Sequence, residues 1–372
     1  MAVLSWLAIL VAVVLVTIGA VYQFVLPELF PFWILKAQKH SKPHVVMQSY
    51  AGRTVLITGA HGAFGSRAAK LFKDADTLVL IDLLDCTALK EAIEAECDAE
   101  SKSRPTIIAW TVNMMSYASC AELGSKIKTL RSLDHALLTA GILSFGRRES
   151  PEGWETSMQI NYLSTALVAL LILPALKSSP SNPNPPVLTL TTSFGIYPAS
   201  PTMSNTSRSG SYLKHITRKD RFSIAQMQEH MYGKSKICLL YFARELAARI
   251  TAAQQANGKT DLPVVTITSG DPGPAWTALT QPNQEKLVPR LIQNYGSRDP
   301  QYGATSLVNS VSVGAKYHGS ILTDNMKSLP HPSFMERGSG HRYQQRVWDE
   351  TRQELEANVP DIKAVYATLE AC

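Results

Sequence analysis

The chain has 372 residues, 45% hydrophobic and 18% charged, with a mean hydropathy of -0.02. Those averages exclude a collagen, a low-complexity disordered chain and a polytopic membrane protein. The net charge of +6 comes without a long Lys/Arg run, so no nucleic-acid partner is expected. The five cysteines, Cys86, Cys97, Cys120, Cys238 and Cys372, form no CxxC pair. Buried or free thiols fit that spacing better than a disulfide framework or a zinc site, and no metal is expected.

The averages hide an uneven start. Residues 1–27 contain no Asp, Glu, Lys or Arg, and the first charged side chain is Glu28. A hydrocarbon core of about 30 Å needs roughly 20 helical residues, which Ala2 to Leu26 supply. The run predicts an N-terminal transmembrane helix (1–27), with membrane lipid as its partner. A cleaved signal peptide is the competing reading, but it carries a basic n-region and a shorter apolar stretch. Lys36, Lys39 and Lys42 flank only the C-terminal side. The positive-inside rule then places the remaining chain in the cytosol, as a single-pass protein of the endoplasmic reticulum. On that topology the one glycosylation sequon, Asn205-Thr206-Ser207, stays unmodified.

Residues 28–52, with Pro31 and Pro43, read as a connector. A regular alternation follows. Short β-rich runs lie at Arg53–Thr58, Thr77–Asp82, Thr106–Val112, His135–Thr139, Val187–Thr192 and Val264–Thr268. Helical spacing covers Ala63–Lys73, Thr87–Glu100, 116–131, 155–177 and 230–254. Wholly apolar strands alternating with helices predict a parallel α/β sheet covered on both faces. One domain over 53–325 is expected, with a helical C-terminal extension over 326–372. Residues 178–186 read as a surface loop. Residues 198–222 read as a basic insertion, either a solvated loop, a headgroup contact or a substrate lid.

Gly59, Gly62 and Gly65 stand in TGxxGxxG spacing between the first strand and the first helix. Glycine lets the backbone approach a pyrophosphate, and the helix N-terminus supplies N–H donors with a partial positive charge. Thr58, His61 and Phe64 belong to the same turn. Asp82 ends the second strand and can accept bonds from ribose hydroxyls, while repelling a 2′-phosphate. It favours NAD(H), although His61 and Arg67 leave NADP(H) open. Asp85 competes for the same role, and helix capping is the alternative for Asp82.

Tyr232 and Lys236 form the only YxxxK spacing in the chain. On a helix they share a face. A nearby ammonium lowers a tyrosine pKa from its usual value of about 10. Such a phenol can exchange a proton with a carbonyl or an alcohol.

With these residues in place, the stretch 53–325 resembles the short-chain dehydrogenase/reductase superfamily, whose fold is a Rossmann-type doubly wound sheet. TGAHGAFG resembles its cofactor loop. Leu138-Thr139-Ala140-Gly141 resembles the NNAG turn after strand four, with Leu-Thr in place of Asn-Asn. The resemblance implies a catalytic set of Asn161, Ser193, Tyr232 and Lys236, with Thr192 as a neighbouring alternative to Ser193. Tyr232 would be the acid or base, Lys236 would lower its pKa and hold the nicotinamide ribose, Ser193 would polarise the substrate oxygen, and Asn161 would hold a relay water. Ala140 and Gly141, and then Pro272, Gly273 and Thr277 past strand six, would complete the cofactor site. The acidic residue often found after strand three is replaced by Thr111 or Asn113. The Ser193–Tyr232 gap and the tail Gly303–Leu355 resemble retinol-dehydrogenase-like and fungal members. The expected activity is alcohol/ketone interconversion on a lipophilic substrate (steroid, retinoid, lipid or polyketide-like), with a homodimer left open. A non-catalytic dinucleotide-binding scaffold, and an epimerase or dehydratase that retains its NAD, are the other readings.

Overall fold

The structure, a computed structural model, describes residues 26–47, 49–144, 148–179, 184–197, 210–217, 224–258, 262–277 and 296–370. Almost all of the predicted transmembrane run and all of the glycosylation sequon lie outside these residues. Among the described residues, one helix is long and apolar enough to cross a membrane, Thr156–Ser178, and it is mostly buried in the core.

In chain order the elements are α1 (Leu26–His40), β1 (Thr54–Thr58), α2 (Ala63–Leu71), β2 (Thr77–Asp82), α3 (Thr87–Ala99), β3 (Thr106–Thr111) and α4 (Tyr117–Ile127). Next come β4 (His135–Leu138), α5 (Thr156–Ser178), β5 (Val187–Thr191), α6 (Tyr212–Ile216), α7 (Ile224–Ala256) and β6 (Thr266–Gly270). The chain closes with α8 (Pro300–Val311), β7 (Ile321–Thr323), β8 (Lys327–Leu329), α9 (Ser333–Glu336), α10 (Gly338–Asn358) and α11 (Ile362–Glu370). The strands form one sheet in the order β3-β2-β1-β4-β5-β6-β7-β8, parallel except for β8.

Alternate strand residues serve opposite faces. Val55, Ile57, Leu78 and Leu80 join Ala68 and Ala69 of α2 and Leu307 of α8 in one core. Leu56, Val79, Ile81 and Ala136 join α4, α5 and α7 in the other. Trp348 of α10 and Tyr366 of α11 extend that second core outward, and the Tyr162 hydroxyl bonds Thr351. The four described cysteines are free and buried.

Three findings differ from the sequence reading. The connector opens with a helix, α1, which contains Pro27 and Pro31. The strand at the 264–268 run is shifted to Thr266–Gly270, because its register follows Val187–Thr191 of β5. The extension begins with a strand, β8, that pairs with β7 through a turn whose Asp324 and Met326 have positive φ.

Arg298 joins these late elements to α1. It is 4% exposed and donates to Pro272 O, Gln38 O, Ser306 Oγ and Asp324 Oδ1, the last at 2.5 Å. Removing one partner of a buried ion pair typically costs roughly 3–5 kcal/mol. Arg298→Met is therefore expected to lower the urea midpoint clearly, whereas a loss within error would mean that the bonds are dispensable.

Candidate active site

The C-terminal ends of β1, β4, β5 and β6 surround a cleft of about 240 Å³, lined by Gly59, Gly62, Phe64, Thr191, Thr192, Tyr232, Lys236, Pro272 and Thr277 among others. A second chamber of about 410 Å³ continues over β2 and β3, lined by His61, Asp82, Leu83, Leu84, Asn113, Ala140 and Gly141 among others. Thr139 and Gly141 border both. Crevices at such strand ends are where open α/β sheets take ligands.

The glycine turn is built by close approach. Gly59 has φ +67, and a Cβ there would lie 2.7 Å from Ala140 Cα. A Cβ on Gly65 would lie 2.0 Å from Gly59 O. Gly62 caps α2 without a side chain, so nothing from the cap residue competes for the first-turn N–H groups that face the cleft. Thr58 Oγ1 accepts Ala140 N–H at 3.2 Å and ties the β1 and β4 loops together. The turn fits a pyrophosphate. Two buried hydroxyls on the cleft wall, Thr191 Oγ1 and Thr192 Oγ1, have no protein partner among the described residues, which fits a polar ligand there.

Asp82 and Asp85 divide their roles. Asp82 Oδ2 accepts His61 N–H at 2.9 Å and Oδ1 accepts Leu84 N–H at 3.1 Å, so the carboxylate holds the glycine turn and borders the second chamber. Asp85, one residue before the Cys86 N-cap position of α3, accepts Thr87 N–H and Thr87 Oγ–H and is not among the chamber-lining residues. Arg67 donates to Ala63 O in its own helix and is not among the chamber-lining residues. Of the two positions after strand three, Asn113 lines the chamber, whereas Thr111 is the last residue of β3.

Tyr232 and Lys236 sit one turn apart on α7. The Tyr232 hydroxyl hydrogen-bonds Ser193, whose Oγ also accepts Gly195 N–H at 3.1 Å. Burial pushes the Tyr232 phenol up, the Ser193 bond opposes this, and the charge of Asp271 adds to the rise. Lys236 is 3% exposed, and its Nζ donates to Thr191 O at 2.7 Å. Burial pulls Lys236 down to about 8, and Asp271 pulls the other way. The expected lowering of the phenol by an adjacent ammonium is not what this geometry carries. Nζ lies 5.9 Å from the Tyr232 ring centroid, and one of its three N–H groups is used on the Thr191 carbonyl. A phenol with a raised pKa keeps its proton at neutral pH.

Asn161 lies where α5 widens into a π-turn over Gln159–Ser164. Its Nδ2 donates to Ile142 O at 2.9 Å and Ser235 Oγ at 3.0 Å, and its Oδ1 accepts Ile142 N–H at 2.7 Å. Both amide hydrogens are used within the protein, and the group clamps the loop after β4 to α7. Ser235 completes the clamp by donating to Tyr232 O at 2.7 Å. Sequence reasoning missed Ser235, Gln38 and Arg298, because no local pattern marks them. Gly273, with φ +68, and Pro272 form the turn past β6, and Thr277 borders the cleft. The side chain of His230 lies outside the described residues.

A family profile described as short chain dehydrogenase matches residues 53–185. The chain is 26% identical to the short-chain dehydrogenase/reductase ffsI of Aspergillus flavipes, covering 91% of this chain and 96% of the relative. It is 29% identical to the short chain dehydrogenase/reductase mfmJ of Annulohypoxylon moriforme, covering 90% and 94%. Over these residues the chain is similar to the short-chain dehydrogenase/reductase superfamily. Among solved structures, a short chain dehydrogenase from Shigella flexneri complexed with NADP superposes with a TM-score of 0.50 at 18% identity, over 74% of this chain and 98% of that one. That likeness concerns the fold. The similarity supports an NAD(P)-dependent oxidoreductase, and the fungal relatives align with nearly the whole length of this chain.

Proposed function

We propose that this chain is a membrane-anchored carbonyl reductase acting on an apolar ketone or aldehyde, with Tyr232 as proton donor. The observation that carries the reading is the Tyr232 hydroxyl, bonded to Ser193 beside a cleft that runs to the glycine turn. The nicotinamide group, when bound, supplies the hydride. Ser193 and Tyr232 hold the substrate oxygen, and the phenol O–H gives its proton to the developing alkoxide. Lys236 anchors the cofactor side of the cleft, and the Asn161–Ser235 clamp holds α7 in register. The reverse oxidation uses the same groups with Tyr232 as base.

NAD(H) is the proposed cofactor. Asp82 borders the adenosine-side chamber, and neither lysine nor arginine is among its described lining residues. A carboxylate there opposes a 2′-phosphate. The membrane reading rests on the uncharged N-terminal run, continued by α1 with Trp33 66% exposed and followed by Lys36, Lys39 and Lys42. An apolar substrate would partition into the adjoining lipid.

Initial rates of the full chain in membranes, with NADH and NADPH, on lipophilic and short water-soluble ketones test the reading. NADH should outperform NADPH by about tenfold or more, equivalent to ~1.4 kcal/mol, and lipophilic ketones should react faster. An NADPH preference removes the Asp82 reading. Cofactor binding without hydride transfer to any ketone, or conversion with no net NADH change, overturns the reductase in favour of a scaffold or an epimerase.

A further inference from the structure

Asp271 follows β6 and is 1% exposed. Its Oδ2 accepts Gln38 Nε2–H at 2.9 Å, and its Oδ1 accepts Gly273 N–H at 2.9 Å. The Phe194 N–H also donates to the carboxylate. These three donors come from α1, from the turn past β6, and from the residue after Ser193. The Asp271 backbone is held as well: its N–H donates to Leu322 O at 2.8 Å, and its carbonyl accepts Thr323 Oγ1–H at 2.9 Å. Gln38 is itself fixed, since its Nε2 also donates to Thr323 Oγ1 at 3.1 Å and its carbonyl accepts Arg298 Nη1–H at 3.2 Å. Burial raises the Asp271 carboxyl above its ordinary value, and the N–H donors oppose that rise and favour the ionised, acceptor-only form.

We propose that Asp271 is a positioning residue for the Ser193–Tyr232–Lys236 centre, and that Gln38 of α1 aims it. It sets the Ser193 turn through the Phe194 N–H, and it places a negative charge behind the phenol and the ammonium. The segment that leaves the predicted membrane anchor thereby becomes a structural part of the catalytic centre. The inference rests on the proposed role of Tyr232.

The charges facing Asp271 decide the sign of the pH effect. Tyr232 and Lys236 approach from α7, Tyr197 from the turn after Ser193, and Arg298 from the segment before α8, with Asp324 beyond it. Gln38 brings a neutral group from α1. Asp271 holds both the Tyr232 phenol and the Lys236 ammonium up. Removing its charge lets both lose their protons at lower pH. Gln38, in turn, opposes the burial that raises the Asp271 carboxyl. Removing that donor lets the carboxyl take up a proton at higher pH.

The test uses the full chain in membranes, NADH, and the most active ketone of the panel above. Asp271→Asn should lower kcat about tenfold or more and move the alkaline limb of the reduction profile down by roughly one pH unit. Gln38→Ala, which touches no reacting group, should lower kcat severalfold and move the acidic limb up. NADH affinity, read by fluorescence, should change less than kcat in both, and urea unfolding establishes that each variant is folded. If Asp271→Asn does not fold, the Gln38→Ala profile decides. Limbs that stay in place, with kcat unchanged or scaled equally at every pH, overturn the proposal. Inactive Tyr232→Phe alongside such unmoved limbs overturns this inference alone, whereas active Tyr232→Phe overturns both.

Discussion

Tyr232→Phe is expected to lower kcat by about three orders of magnitude, within the usual range for losing a general acid, while NADH affinity stays within about threefold. Phenylalanine preserves the ring that packs near Gly195 and removes only the hydroxyl bonded to Ser193. The lost bond acts on the oxygen that gains charge during reduction, so the effect falls on kcat and not on binding. Steady-state NADH oxidation together with a fluorescence titration of NADH separates the two. Turnover near the wild-type rate would remove Tyr232 from the mechanism. The wild-type reduction rate should also fall as pH rises through about 8, where buried Lys236 loses its charge. Linkage gives the matching stability trend. A lysine whose folded pKa lies below its unfolded value binds fewer protons when folded, so its burial cost is fully present below pH 8 and is relieved as pH rises.

Gly65→Ala is expected to weaken NADH binding by about two orders of magnitude and to destabilise the chain by roughly 2–3 kcal/mol. The added Cβ would lie 2.0 Å from Gly59 O, 2.8 Å from Gly59 C and 3.0 Å from Ala60 Cα. All three are backbone atoms, so no side chain can swing aside. The start of α2 must retreat from the turn, and the first-turn N–H groups leave the cleft with it. Gly62→Ala is the control, because its Cβ meets only Gly59 O, at 3.1 Å. Calorimetric titration with NADH and urea unfolding of both variants measure the difference. Equal affinity in Gly65→Ala and the wild type would mean that the tight turn does not hold the cofactor.

Much of this architecture can be read locally. The strand at Thr77–Asp82 has the predicted bounds, and β1 to β5 differ from their predicted runs by a residue or less. Apolar runs bounded by turn residues and helices are sufficient signals for strands in a parallel sheet. The TGxxGxxG turn and the Tyr232–Lys236 pair are equally local, because each lies within a single loop or helical turn. Other features lack such a signal. β7 and β8 are three residues each, too short for a periodic pattern. α1 was obscured by Pro27 and Pro31, since proline reads locally as a helix breaker. Asn161 was picked out as a site residue, but its bonds to Ile142 and Ser235 could only be found in space.

The sequence by itself determined the class of the protein: an alternating α/β sheet, a phosphate-accommodating turn, and a tyrosine and lysine on one helical face. Those properties depend on neighbours within about one turn or one strand. The tertiary structure decided the state and support of the catalytic groups. Lys236 is tied to Thr191 O, the Tyr232 phenol is pushed up by burial, and Asp271 joins α1 to the Ser193 turn. These effects depend on burial and on bonds between residues such as Gln38 and Asp271, 233 positions apart. No local pattern encodes a contact of that range; only the packed sheet brings the partners together.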